Sequence, residues 1–225
     1  MIEIHWLPRS PYEAVWQRMR DYTQQRQATT PDQIWLLEHD PVYTLGRAAS
    51  LEHVLSPGNI PLVRCDRGGQ VTYHGPGQLV AYILLDLRRY GLYAKEYVRL
   101  LEQVTIELLS ELGVIACRKP GSPGVYVPQF YDGAEVTLAK IGALGVKISN
   151  GCTYHGLALN VDMDLQPFSG IFPCGQRHTP TVDLHGCGVK INVQELGDRL
   201  AHALSTGIQN YQRQLHEDSH GAGTH

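Results

Sequence analysis

The feature that most constrains the fold is a long β-type block over residues 114–162, with the dipeptide Asn150-Gly151 inside it. Asn-Gly between two strand-like runs is a strong hairpin signal, and hairpin strands pair antiparallel. Further strand patterns precede this block, at 2–7, 32–39, 41–47, 62–65 and 78–87. The chain therefore needs a large sheet with at least one antiparallel pair.

Three helical patterns accompany the strands. Ser10, Pro11 and Glu13 resemble a capping box that opens a helix reaching about residue 27. Residues 93–112 carry apolar side chains at spacings of three and four. A second capping box starts at Asn192 and leads a helix with an apolar stripe. We expect an α/β (α+β) fold, a single domain over residues 1–216 with a mixed sheet flanked by helices, and a disordered tail at 217–225.

Charge and cysteine content narrow the function. The 225 residues include 19 basic and 22 acidic side chains, a net charge of −3, which argues against binding to nucleic acid or to an anionic membrane. We see no signal peptide and no apolar run long enough to span a bilayer, so a cytoplasmic protein is expected. Five cysteines without a CxxC pair are a poor disulfide framework and fit a reducing compartment.

A glycine-rich segment lies at residues 67–78. Such a segment lets the backbone approach a ligand closely and present its N–H groups. It lacks the lysine of a phosphate-binding P-loop and the glycine order of a dinucleotide fingerprint. Spacing alone leaves two interpretations open, a tight strand connection with a satisfied histidine or a binding loop, although the polar side chains exceed what a turn requires.

One cysteine stands apart from the others. Cys65, Cys117 and Cys152 lie in apolar, strand-like settings, where a buried thiol is the ordinary interpretation. Cys174 lies in a loop between Pro173 and Gly175, where a thiol is accessible and backbone N–H groups are near. Those are the requirements of a nucleophile and its oxyanion hole.

Two further interpretations concern neighbouring chemistry. Lys140 sits inside an apolar run, so it either faces solvent or points into a cleft; from the residues alone the solvent face is favoured. Cys174, His178, His185 and Cys187 could bind zinc, but their spacing matches neither of the paired patterns of structural zinc sites. We therefore expect no metal.

The sequence at 67–82, RGGQVTYHGPGQLVAY, resembles the signature of the lipoyl(octanoyl) transferases, the octanoyl-[acyl-carrier-protein]:protein N-octanoyltransferases. Stretches at 123–127, 140–168 and 173–175 agree with it, and the likeness runs from about residue 30 to about 205. Residues 128–138 depart from the pattern as an insertion, expected to lengthen a hairpin, and the histidine-bearing tail is not part of it.

The resemblance implies a biotin/lipoate protein ligase-like catalytic domain and assigns roles by position. Cys174 is implied as the acyl-thioester nucleophile and Lys140 as its partner, acting as a base or only through its charge, which replaces the solvent-facing interpretation. The implied substrate-binding residues are Arg67, Gly68, Gly69, Gln70, Val71, Thr72, Tyr73, His74, Ala143, Leu144, Gly145, Gly156, Leu157 and Ala158.

The implied activity is an acyltransferase that needs no cofactor, because the incoming thioester is already activated. The donor would be octanoyl acyl-carrier protein, and the acceptors would be lipoyl domains of 2-oxoacid dehydrogenase E2 subunits and the glycine cleavage H protein. Arg88, Arg89, Arg118 and Lys119 are candidates for docking the acidic carrier. The rivals are an ATP-dependent lipoate or biotin ligase of the same fold, a zinc-stabilised interaction module and a cysteine hydrolase.

Overall fold

The computed structural model describes residues 2–129, 137–172 and 179–221. Its helices are α1 (Tyr12–Gln24), α2 (Ala94–Glu111) and α3 (Val193–Gly221). Its strands are β1 (Ile2–Trp6), β2 (Asp32–Leu37), β3 (Val42–Leu45), β4 (Leu62–Arg64), β5 (Val71–His74), β6 (Gln78–Leu84), β7 (Cys117–Lys119), β8 (Ser122–Gln129), β9 (Thr137–Ser149) and β10 (Cys152–Asn160).

Two sheets organise these elements. The larger has seven strands in the order β1-β2-β6-β10-β9-β8-β7, parallel between β1 and β2 and antiparallel elsewhere. The smaller has the order β4-β3-β5, with β3 parallel to β4 and antiparallel to β5. The predicted mixed sheet flanked by helices is confirmed.

The helices cover the large sheet on both faces. On one face α2 and α3 bury a core that includes Leu101 and Leu109 from α2 and Leu196 and Leu200 from α3, all fully buried. On the other face α1 contributes Met19 and its neighbours to a second core. At about 1.5–3 kcal/mol for each large apolar side chain, this burial dominates the stability of the fold. We call the first the helix-side core and the second the α1-side core.

Local signals in the sequence are partly confirmed. Asn150 and Gly151 have φ of +50° and +77° and join β9 to β10, as the hairpin signal predicts. Asn192 caps α3, because its Oδ1 accepts from the backbone N of Glu195 at 2.8 Å. The capping box at Ser10 is wrong: α1 begins at Tyr12 with Pro11 at its cap position, the Ser10 hydroxyl accepts no N–H from this fully described helix, and it donates to the Pro8 carbonyl at 2.8 Å.

Three segments differ from or extend the expectations. The glycine-rich segment 67–78 is not a loop throughout, since it contains β5 and the first residue of β6. Residues 128–138 extend a hairpin, with Gln129 paired to Thr137, while residues 130–136 lie outside the described residues. Helix α3 continues to Gly221 and so includes the first part of the segment assigned to a tail.

Candidate functional site

A cavity of about 390 Å³ lies along strands β9 and β10 and beneath the loop that follows Asp66. Its volume is within the usual range for small-molecule sites. Fourteen of the sixteen expected site residues line it. They are Lys140, the expected partner of the nucleophile, and the expected binding residues Arg67, Gly68, Gly69, Gln70, Val71, Thr72, His74, Ala143, Leu144, Gly145, Gly156, Leu157 and Ala158. The structure therefore brings three separate parts of the sequence to one cavity.

Two expected site residues are not at this cavity or cannot be placed. Tyr73 packs into a small third core, with its ring centroid 5.6 Å from those of both Tyr43 and Phe168. Cys174 lies outside the described residues. The chain that follows its segment does reach the cavity, because Thr181 is a lining residue and pairs with Lys140 through a parallel β-bridge.

The floor of the cavity is a pair of adjacent strands in tight register. Ala143 pairs with Ala158, and Gly145 pairs with Gly156. A Cβ atom on Gly156 would lie 2.1 Å from the carbonyl oxygen of Ala81, so only glycine allows β6 to approach there. Small residues on this floor leave room for a ligand above it.

A β-bulge determines where Lys140 points. Val125 pairs with Gly142 and Tyr126 pairs with Lys140, so Ile141 is an extra residue in β9. Ile141 is fully buried in the helix-side core. In a regular strand Lys140 and Gly142 would share a face; the bulge puts Gly142 with Ile141 on the helix side and turns Lys140 toward the cavity.

The amine of Lys140 is enclosed by one end of the cavity. The residue is 9% exposed, its Nζ donates to the Pro123 carbonyl at 3.3 Å, and Nζ lies 5.4 Å from the ring centroid of Tyr126. Its backbone N donates to the Pro180 carbonyl at 2.7 Å. A Cβ on Gly124 would lie 2.7 Å from the Lys140 Cε, so this glycine makes space for the lysine side chain.

Arg67 shapes the loop above the cavity. It is 7% exposed, and its guanidinium donates to the Thr44 hydroxyl at 3.1 Å, to the Gly68 carbonyl at 2.9 Å and to the Gln70 carbonyl at 2.8 Å. The Gly68 backbone N in turn donates to the Val146 carbonyl at 2.9 Å. The guanidinium therefore holds the loop together and connects it to β3.

His155 lies at the opposite end of the cavity from Lys140 and has a strained backbone. Its φ is +60°, a conformation that costs a non-glycine residue about 1–3 kcal/mol. By register it pairs with Val146, which packs against the helix-side core. Its ring instead lies on the α1 side, with its centroid 6.5 Å from that of Tyr12 and 6.1 Å from that of Tyr82. The positive φ thus moves His155 to the cavity face.

Asp66 fixes this displaced histidine. The Asp66 carboxylate accepts from His155 Nε2 at 3.0 Å, from Trp16 Nε1 at 2.9 Å and from the hydroxyl of Tyr154. Burial alone would raise the pKa of Asp66, but these hydrogen bonds outweigh it and hold the pKa well below its usual range. Tyr154 and His155 are consecutive, and both reach one carboxylate only because the strand alternation is broken.

The histidines at this end are neutral. Burial lowers the pKa of His155, although Asp66 opposes the shift. Burial also lowers the pKa of His74 to about 3 and that of His39 to about 4. Because the carboxylate can only accept, His155 carries its proton on Nε2, and its buried Nδ1 has no hydrogen-bond partner among the described residues.

Sequence reasoning missed several of these residues. Four lining residues were not among the expected ones: Tyr12, Gln78, Tyr82 and His155. Asp66, which accepts a hydrogen bond from His155, was not expected either. Gln78 ended the glycine-rich segment, so its position was a usable signal. The face that His155 adopts has no signal in the residue pattern, since alternation places it in the opposite core.

The other side chains considered from the sequence lie elsewhere. Cys65 and Cys152 are buried and Cys117 and Cys187 half-buried, all as free thiols. Within residues 2–129, 137–172 and 179–221, no group of three metal-binding side chains could hold an ion, and no helix there is long and apolar enough to cross a membrane. Cys174 and His178 of the zinc hypothesis lie outside those ranges.

None of the four basic docking candidates lines the cavity. Arg88 pairs with Asp86 at 2.8 Å, Arg89 with Asp32 at 3.1 Å and Arg118 with Glu102 at 3.0 Å. Lys119 lies 5.9 Å from the ring centroid of Tyr126. Three of the four are therefore paired with carboxylates of this chain, although the Arg88 side chain remains 68% exposed.

Solved structures of known proteins share this fold. A bipartite lipoate protein ligase from Thermoplasma acidophilum superposes with a TM-score of 0.69 at 16% identity, covering 96% of this chain and 92% of that one. A biotin protein ligase from Aquifex aeolicus gives a TM-score of 0.55 at 12% identity, covering 94% and 70%. At these identities the likeness establishes the ligase-type fold that the resemblance implied.

Sequence relatives are much more similar. The octanoyltransferase of Bordetella petrii is 61% identical over 203 residues, which is 89% of this chain and 94% of the relative. That of Dechloromonas aromatica is 49% identical, covering 88% and 92%. The model of the lipoyl protein ligase A/B catalytic domain matches residues 11–205. On this match and these relatives, the chain belongs to the lipoyl protein ligase A/B catalytic domain family.

Proposed function

We propose that this protein is an acyltransferase that moves an octanoyl group from acyl carrier protein to a lysine of lipoyl domains, through a thioester on Cys174. The observation that carries the proposal is the cavity with the buried amine of Lys140 at one end and small residues along its floor. The relatives at 49–61% identity bear the name octanoyltransferase, which supports the same activity.

The first half-reaction forms the acyl-enzyme. The Cys174 sulfur attacks the thioester carbonyl carbon of octanoyl acyl-carrier protein, and backbone N–H groups of the glycine segments stabilise the oxyanion. The bond from that carbon to the carrier sulfur then breaks. The proton of Cys174 passes to Lys140, which returns it to the departing carrier sulfur; if Lys140 acts only through its positive charge, the thiol proton passes to water and the carrier sulfur takes one from water. In both cases the carrier leaves as a free thiol.

The second half-reaction makes the product. The ε-amine of an acceptor lysine attacks the octanoyl-Cys174 thioester, and Lys140 accepts the proton that the amine loses. The carbon–sulfur bond breaks, an amide remains on the acceptor, and Cys174 is restored. The thioester supplies the driving force, so the proposed reaction consumes no ATP.

Intact mass spectrometry tests the proposal directly. Mixing the protein with octanoyl acyl-carrier protein should give one octanoyl adduct that hydroxylamine removes. The same adduct on Cys174→Ala would contradict the assignment of the nucleophile. To test whether Lys140 activates the Cys174 thiol, the pH profile of Cys174 alkylation is compared with that of Lys140→Ala; an unchanged profile would remove this role.

The lipoate and biotin protein ligases of similar fold suggest one alternative, a reaction that uses ATP and passes through an acyl-adenylate. Transfer to a lipoyl domain is therefore measured with and without ATP. Transfer from the carrier thioester in the absence of ATP supports the acyltransferase, whereas a strict requirement for ATP and free acid supports the ligase.

A further inference from the structure

The cavity has two chemically different ends. Because β9 and β10 run antiparallel, Lys140 lies at one end of the lining and Val146, the register partner of His155, lies at the other. Between them the floor consists of Ala143, Gly145 and their β10 partners. In the proposed reaction the acyl carbonyl lies at the Lys140 end, so the chain tail extends toward His155.

Aromatic rings close the His155 end. The ring of Tyr12 stacks on that of His74, with centroids 6.0 Å apart and planes 6° apart, and on that of His155, with planes 10° apart. The ring of Tyr82 meets His155 edge-on. Tyr12 and Tyr82 are each 3% exposed and His155 is 1% exposed, with the α1-side core behind them. We call Tyr12, His74, Tyr82 and His155 the end wall.

We propose that His155 is a specificity-determining residue whose displaced ring completes the end wall and sets the longest acyl chain that the cavity accepts. This inference rests on the proposed function. Asp66 acts as the positioning residue, because its carboxylate holds the His155 ring across the cavity end. Without the positive φ, the register would place the His155 side chain in the helix-side core and leave this end open.

The physical reason is a change in packing at the wall. Each methylene buried along the cavity should strengthen binding about fourfold. A chain that reaches the wall must displace stacked rings in a closely packed core, and overpacking of this kind is unfavourable. We therefore expect kcat/KM to rise with chain length and then to fall abruptly at the length where the tail meets His155.

The decisive variant is His155→Gly, because glycine removes the ring and also accepts a φ of +60° without strain. Acyl-enzyme formation is measured by intact mass with carriers bearing C6 to C14 chains. We expect the optimum to move longer by two or more carbons, and the ratio of kcat/KM for C12 over C8 to rise at least tenfold.

Asn150→Gly is the matched control. Asn150 also has a positive φ, of +50°, but lies in the β9–β10 turn and does not line the cavity. Its substitution relieves the same kind of backbone strain and should leave the chain-length profile identical to that of the wild type. A shift in this control equal to that of His155→Gly would overturn the proposal.

A second variant, Tyr12→Leu, removes the ring that α1 contributes to the end wall. It tests the inference if His155→Gly does not fold. Thermal unfolding identifies such a case. An unchanged optimum in whichever of these variants folds would overturn the inference while leaving octanoyl transfer intact. If the wild type forms no adduct with any chain, the proposed function itself is wrong, so the two failures are distinguishable.

Discussion

Lys140 and His155 lie on neighbouring strands and both depart from regular strand alternation, but by different means. At Lys140 the departure is a bulge, in which one extra residue turns the side chain without any positive φ there. At His155 the register with β9 is kept, and a single strained residue crosses from one face to the other. Both side chains reach the same cavity.

The difference concerns what each device demands of its surroundings. A bulge needs space and pairing on the partner strand, and here that space is provided by Gly124 and Gly142. A strained φ needs an attractive interaction that holds the displaced side chain, and here Asp66 provides it. The Lys140 end should therefore be sensitive to added atoms, and the His155 end to changes in charge.

The largest expected effect is at the reactive end. Lys140→Met removes the amine and keeps most of the side-chain length, so we expect acyl-enzyme formation to slow about 10²–10⁴-fold, the usual contribution of a positioned acid–base group. Single-turnover mass measurements provide the rate. Lys147→Met, on the same strand but outside the cavity lining, is the control and should retain wild-type rates. If Lys140→Met retains more than a tenth of the wild-type rate, Lys140 is not the acid–base group of acyl-enzyme formation.

The next effect tests the space that the bulge requires. In Gly124→Ala the new Cβ would lie 2.7 Å from the Lys140 Cε and 2.8 Å from the Gly142 carbonyl oxygen. Displacement of the amine should reduce kcat/KM about 10–100-fold. Gly113→Ala is the control, since Gly113 has a φ of +81° and nothing within 4 Å of its would-be Cβ. Equal losses of activity in both variants would show that backbone strain, not crowding at Lys140, is responsible.

Acid should destabilise the end that holds the histidines. The folded-state pKa values of His39 and His74, about 4 and about 3, lie below the ordinary 6.5. Below pH 6.5 the unfolded chain binds protons that the folded one does not, so stability falls as the pH is lowered, by about 1.5 kcal/mol per histidine between pH 6.5 and 5. Urea unfolding at several pH values measures the slope.

Single-histidine variants show which histidine causes the loss of stability in acid. His39→Gln should flatten it, whereas His202→Gln, which changes an exposed histidine on α3, should not. The same slope in His39→Gln and in the wild type would mean that His39 contributes nothing to the acid sensitivity.

The smallest effect is expected from Asn150→Gly. A type I′ turn accepts glycine at either central position, so the free energy of unfolding should change by no more than about 0.5 kcal/mol. Urea unfolding at pH 7 checks it. A change above about 1 kcal/mol would show that the positive φ of Asn150 is costly in this chain. The stability change of His155→Gly would then have to be corrected for relief of backbone strain.

Sequence patterns predicted the parts of the fold that depend on near neighbours. Asn150-Gly151 predicted a hairpin because turn conformation depends on two residues, and the stripe from Leu196 to Ile208 predicted a buried helix face because its period is local. The Ser10 capping box was wrong because the helix begins one residue later than the box requires, with Pro11 at the cap position. Strand β5 was missed because its pairing with β3 is a long-range contact.

The candidate site was predictable only in part for the same reason. The glycine segments identified the floor and the loop of the cavity. Residues alone favoured a solvent-facing Lys140, since a bulge opposite Tyr126 cannot be read from β9 by itself. His155 has the further difficulty that its face is set by a carboxylate 89 positions away in the chain.

The Arg67 guanidinium has a consequence for ligand affinity. A segment with four glycines in twelve positions would have high conformational entropy as a free loop. Arg67 removes that freedom during folding, through its bonds to Thr44, Gly68 and Gln70. A ligand that enters beneath the loop therefore does not have to order it, and more of its contact energy remains available as affinity.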